Sequence, residues 1–80
     1  MTADRDAVLA ALRRVQDPDT GRNIVESGAL QGLVLADGAA RFLIEVDPAR
    51  AAALEAMRKA AEDAARAVPG VETATAVLTA

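Results

Sequence analysis

The sequence predicts an α+β domain of two layers, a three-stranded mixed sheet with two helices on one face, in the order α-β-β-α-β. Three observations carry this expectation. Asp37-Gly38 separates two strand-like runs, Leu30 to Ala36 and Ala39 to Val46, and Asp-Gly marks a type I′ hairpin because both central positions need φ > 0. Apolar residues at helical spacing precede this hairpin and follow it. A last run rich in Val and Thr, Val71 to Thr79, comes after Pro69-Gly70, and a right-handed crossover through the second helix sets it parallel to the second hairpin strand. Both helices then cover one face of the sheet and leave the other open.

The first helix starts at a cap supplied by Thr2 or Asp4 and runs to about Gln16, with Asp6 in its first turn favoured by the helix dipole. Val8, Leu12 and Val15, with Leu9 beside them, form its apolar stripe. Arg13 and Arg14 fall in the last turn, where positive charge is favoured. Pro18 disfavours helical geometry at Asp17 and stops the helix.

The connection that follows, Asp17 to Leu30, is long for a helix-to-strand link, usually about 2–6 residues, and long ordered connections tend to be functional. Asp17-Pro18-Asp19-Thr20-Gly21 reads as a turn, since Pro fixes φ and Gly accepts φ > 0. Ile24 and Val25 are two adjacent apolar residues in a polar loop. They are expected to plug it into the core as a short helical turn ended by Gly28.

A two-residue hairpin loop pairs Leu35 with Ala40, Leu33 with Phe42 and Gln31 with Ile44. Directly opposed residues share a face, so Leu33, Leu35, Ala40, Phe42, Ile44 and Val46 form the buried side. The open side carries Val34, Arg41, Leu43 and Glu45, with Leu30 at its edge. That side is half apolar, which suits either scattered exposed residues or a docking face for a partner.

Asp47-Pro48 opens the second helix, with Asp as cap and Pro at the first helical position. It is expected to run to about Val68, with Leu54, Met57, Ala61, Ala64 and Val68 inward. Glu55 with Lys59 and Glu62 with Arg66 are i,i+4 pairs in the favourable order, worth ~0.2–0.5 kcal/mol each, on a face read as solvated. In the last strand, Ala74, Ala76 and Leu78 share one side.

Composition removes many functions. Of 80 residues, 52% are apolar, yet Phe42 is the only aromatic. An alanine-rich core of this kind implies closely approaching elements. A net charge of −3 with scattered arginines offers no basic footprint, and no aromatics beyond Phe42 are available for base stacking, so nucleic acid is not an expected partner. The start of the chain has no basic leader followed by an apolar run, and nothing is long enough to cross a membrane; a cytoplasmic protein is the default expectation.

Cysteine and histidine are both absent. That removes disulfides, thiolate and imidazole metal sites, self-contained iron–sulfur ligation, and any histidine base for Ser27 or the threonines. Ser27 lacks the Gly-x-Ser-x-Gly elbow, and neither phosphate-binding glycine motif is present. Asp17, Asp19 and Asn23 resemble the start of a calcium loop, but the positions that need an oxygen ligand, glycine and glutamate hold Gly21, Arg22 and Gly28. A small enzyme using Asp17 or Asp19 as acid or base is the only catalytic reading the residues leave.

One resemblance goes further. Leu12, Val15, Asp17 and Pro18, with the acidic Asp19, then Asn23-Ile24-Val25, Gly28, Asp37-Gly38, Pro69-Gly70-Val71 and the closing Leu78-Thr79 together resemble the N-terminal domain of Mrp/ApbC-type iron–sulfur cluster carrier ATPases. The same module occurs alone in SufT- and PaaD-like iron–sulfur maturation proteins. The likeness spans Val8 to Thr79; Ser27 and Ala29 stand where Leu and where Met or Val are more usual. Many members carry a cysteine in a Thr-Pro-x-Cys-Pro-like segment after the second strand. Here that segment is Val46-Asp47-Pro48-Ala49-Arg50 followed by Ala51, without a thiol.

The resemblance implies an accessory or regulatory interaction domain that supports cluster assembly and transfer without ligating the cluster. Its partners would be its own P-loop ATPase domain and iron–sulfur scaffold or client proteins. ATP and a 4Fe-4S cluster would belong to the downstream domain, and residues 1–80 would be one domain excised from that longer ATPase. A stand-alone SufT/PaaD-like factor is the alternative. Asp17, Pro18, Asp19, Asn23, Ile24, Val25 and Gly28 carry the family pattern and are candidate contact residues. Val34, Arg41, Leu43 and Glu45 are the candidate docking face. No catalytic, cofactor-binding or metal-binding residue is expected in this segment.

Overall fold

The computed structural model describes residues 4–80, and the order of its main elements is the one the sequence predicts. The first helix, α1, spans Arg5–Leu12 and is capped by Asp4, whose carboxylate accepts the Asp6 N–H at 2.9 Å. Thr2, the other expected cap, lies outside the described residues. The helix is shorter than expected. Arg14 N–H and Val15 N–H bond to the Ala11 and Leu12 carbonyls three residues back, at 3.1 and 3.0 Å, a tightening typical of helix ends. Gln16–Asp17 (β1) then pairs antiparallel with Arg22–Asn23 (β2), and this ribbon ends the helix before Pro18 can. Arg13 and Arg14 therefore follow the helix, while Val15 stays buried.

The hairpin forms from β3 (Leu30–Ala36) and β4 (Ala39–Glu45), with Asp37 and Gly38 at φ of 52° and 79°, both positive as a type I′ turn requires. Leu35 opposes Ala40 and Val34 opposes Arg41, in the register a two-residue loop sets, but the expected Leu33–Phe42 and Gln31–Ile44 pairs give way to Gln31 with Leu43 and Leu30 with Ile44. A bulge at Gly32 and Leu33 shifts the register, so Gln31 does not meet Ile44. Gly32 supplies the left-handed backbone at φ +58°, the conformation a glycine bulge uses. Beyond the bulge the faces exchange: Leu30 packs on the core, not at the edge of the open face, and Gln31 is exposed.

After Asp47 the chain makes only a 3-10 turn, Pro48–Arg50, with the Asp47 carboxylate accepting the Ala49 N–H at 2.9 Å. The second helix, α2, spans Glu55–Arg66. Turn residues 51–54 separate the two, ending in Leu54 at φ −98° and ψ 6°, so the segment is two pieces where one helix was expected. The break leaves Leu54 buried and Arg50 free to pair with the loop before the sheet. Met57, Ala61 and Val68 are buried as the stripe predicts, with Ala65 more deeply placed than Ala64.

The last strand, β5 (Thr73–Thr79), runs parallel to β4 in the order β3-β4-β5, with Ala76 beside Phe42 and Val77 beside Leu43. Phe42, Leu12, Ile24, Ile44 and Val8 are the largest fully buried side chains. With Met57, Ala61 and Ala65 of α2 they join both helices, the loop and the sheet in one core.

The expected Glu55–Lys59 and Glu62–Arg66 pairs do not form. Arg58 takes both glutamates, with Nε 2.8 Å from Glu55 Oε1 and Nη1 2.8 Å from Glu62 Oε2, and Arg66 pairs with Asp63. A planar guanidinium can engage two carboxylates at once. This charged face is only partly solvated: Glu62 Oε2 accepts the Ala76 N–H at 2.8 Å and Arg58 Nη1 donates to the Ala76 carbonyl at 3.3 Å.

Candidate functional site

The loop between β1 and β3 is held by its own side chains. Asp17 is buried; its carboxylate accepts the Asp19 N–H at 2.9 Å and its carbonyl accepts the Gly21 N–H at 2.8 Å. Pro18 stands between them at a turn position where its fixed φ is useful. Asn23 Oδ1 accepts the N–H groups of Val25 and Glu26, at 3.1 and 2.8 Å, and the Asn23 carbonyl accepts the Ser27 N–H at 2.9 Å. One helical turn results, capped at its start in the manner of a helix N-cap and closed by Gly28 at φ +83°. Ile24 is fully buried and Val25 packs against the core, so the pair anchors the loop as expected.

Asp19 alone of the loop's acids reaches another element. Arg50 Nη2 lies 2.8 Å from Asp19 Oδ1, and Arg50 Nε donates to both carboxylate oxygens at 3.1 and 3.2 Å. The hydrogen bonds from Arg50 hold the Asp19 carboxyl below its ordinary range and push the guanidinium up. The pair joins the loop to the thiol-free segment after β4. Nothing in the sequence marks it: two opposite charges far apart in the chain carry no signal of contact.

These engagements also decide the chemistry. Asp17 is occupied by a turn, Asn23 by a cap and Asp19 by a guanidinium, so the three do not converge as a cation site. Among the described residues, no three His, Cys, Asp or Glu side chains come close enough to share a metal ion. Without cysteine or histidine anywhere in the chain, the residues do not fit thiolate or imidazole ligation of an iron–sulfur cluster. Shallow depressions accompany the fold. One of about 190 Å³ lies between Pro48 and the end of β5; another of about 370 Å³ runs between the helices, lined by Ala7, Ala10, Ala64 and Ala67 with Arg14. Neither gathers the converging polar groups that ligand pockets use.

The open sheet face is the remaining candidate. Val34 and Leu43 are exposed at 55% and 42%, flanked by Arg41 and Glu45 on the same side of β4. The parallel register adds Val77, 50% exposed, next to Leu43. Sequence reasoning placed the first four residues and missed Val77, although the alternation against Ala76 and Leu78 contained that information. The loop joins this face through β4: Glu45 N–H donates to the Ala29 carbonyl at 2.7 Å. Among the described residues, no helix is long and apolar enough to cross a membrane.

The protein family described as "Iron-sulfur cluster assembly protein" matches residues 5–76 of this chain. The chain is 33% identical over 67 residues to the iron-sulfur cluster carrier protein of Synechocystis sp.; the match covers 84% of this chain and 19% of that protein, so the chain spans about a fifth of its length. A crystal structure of a domain of unknown function from Bacillus anthracis superposes with a TM-score of 0.66 at 18% identity, covering 92% of this chain and 72% of that one. This last likeness establishes the fold, an α+β domain of two helices and a three-stranded mixed sheet.

Proposed function

The chain belongs to the iron–sulfur cluster assembly protein family, and from that membership we propose that it is an accessory interaction domain of an Mrp-type cluster carrier ATPase, supporting cluster assembly and transfer without ligating the cluster. The observation that carries this reading is the exposed Val34–Leu43–Val77 patch on a chain without thiol or imidazole. Lacking ligands of its own, such a domain acts by contact. An apolar centre rimmed by Arg41 and Glu45 has the anatomy of a modest protein interface. The cluster is the cargo of the reading and ATP the substrate of the partner; the partner is the P-loop ATPase domain, and the loop anchored by Ile24 sets the end of the face through Ala29 and Glu45.

The test is a calorimetric titration of this chain against the P-loop ATPase domain of an Mrp-type carrier. Leu43→Asp places a charge in the centre of the patch without entering the core, so it is expected to weaken binding at least about tenfold, a loss of ~1.4 kcal/mol, with the melting curve preserved. Equal affinity of the variant and the parent would reject the docking face.

A further inference from the structure

Every sheet that ends in an exposed strand presents unpaired main-chain groups that template pairing with another chain, and folded proteins block such edges. Here β5 is an outer strand of the sheet. It is seven residues long, composed of Thr, Ala, Val and Leu, without proline or charge, the kind of strand most in need of blocking. At its midpoint, the Ala76 N–H and carbonyl are both taken by side chains of α2. Glu62 Oε2 accepts the N–H at 2.8 Å, Arg58 Nη1 donates to the carbonyl at 3.3 Å, and the two side chains are bonded to each other at 2.8 Å. Glu55 holds Arg58 from the other side. Glu62 and Arg58 are mostly buried for charged side chains, with 19% and 25% exposure, so the clamp is a built contact of the fold.

The strand behind the clamp is also self-complementary. Two copies of Thr73–Thr79 laid antiparallel about Ala76 would oppose Thr73 with Thr79, Ala74 with Leu78 and Thr75 with Val77. Each pair then matches residues of the same sheet face, and the β-branched pairs are favourable cross-strand neighbours. The arrangement is isologous, as a two-fold dimer requires. We propose that β5 is a latent dimerisation edge, that its occupant is β5 of a second copy of this chain, and that the Arg58–Glu62 clamp on Ala76 keeps it closed. This inference is independent of the docking face, since it concerns the edge of the sheet and not its open side.

The experiment is sedimentation velocity over a concentration series of the parent chain, of Arg58→Ala/Glu62→Ala, and of the same double variant carrying Ala76→Pro. Removing the clamp is expected to tighten self-association by at least about tenfold over the parent. Proline removes the Ala76 donor, which the clamp and not the β4 ladder uses, and proline is tolerated on edge strands; it is expected to return the double variant to the parent's monomer–dimer balance. A folded double variant that associates no more than the parent, or one whose association survives Ala76→Pro, overturns the proposal. Should the double variant fail to fold by circular dichroism, Glu62→Met carries the same comparison. The side chain keeps its length but loses the acceptor of the Ala76 N–H and the partner of Arg58, and the same two outcomes decide.

Discussion

Asp19 and Arg50 show how the loop, whose aspartates suggested chemistry, is used for attachment. Asp17 supplies a turn and Asp19 a bridge to the segment after β4. Because Arg50 depresses the Asp19 carboxyl below its ordinary value of 3.8, the pair's contribution to stability is fully present above that value and is lost as pH falls through the lower folded-state value. Asp19→Asn is therefore expected to lower the melting temperature slightly at neutral pH, with the difference from the parent vanishing in strong acid. A difference that grew on acidification would contradict the bridge. Exposed pairs contribute little, whereas Ile24 is fully buried. Ile24→Ala is expected to cost about 2–5 kcal/mol by urea unfolding, and a cost well under 1 kcal/mol would mean the loop is not anchored there. Ile24 was legible as an anchor because two apolar residues interrupt a polar run. Arg50 was not, because its partner is distant in the chain and the 3-10 turn that presents it looked like the start of a continuous helix.

At the scale of elements, the hairpin is legible from Asp37-Gly38 between two strand-like runs, and its turn and nearest pairs follow from that dipeptide. The register farther from the turn was not legible, because Gly32 inside a strand can be a weak strand residue or a bulge, and alternation does not tell which. The bulge has a measurable consequence. Its φ of +58° is costly for any residue with a Cβ, while the position itself is uncrowded, the nearest contact of an added Cβ being Leu43 Cδ1 at 3.9 Å. Gly32→Ala is thus expected to destabilise by roughly 1–2 kcal/mol through backbone conformation alone, measured by urea unfolding. No loss would mean that the strand slides to the regular register. The first helix ended early for a similar reason: a two-residue ribbon, β1 with β2, is too short to leave a periodic signature, and it claimed Gln16 from the expected helix.

For the whole molecule, the two-layer architecture and the family were both legible, the first from periodicity and turn signals and the second from spaced motifs that no single position would reveal. The make-up of the open sheet face was legible only in part. Val34, Arg41, Leu43 and Glu45 follow from hairpin alternation, but Val77 enters through the parallel pairing of β4 with β5, a long-range contact. The clamp on Ala76 was invisible for the same reason, its charges reading as a solvated helix face. Two apolar surfaces now compete as the contact site: the open sheet face and the alanine-lined groove between the helices. The sheet face exposes large branched side chains, which bury more apolar area per residue than alanine methyls and make the stronger contact. The most direct measurement is methyl-resolved NMR of this chain titrated with the P-loop ATPase domain of an Mrp-type carrier. Shifts concentrated on the methyl groups of Val34, Leu43 and Val77 are the predicted result; shifts confined to Ala7, Ala10, Ala64 and Ala67, or none at saturating partner, would contradict contact through the open sheet face.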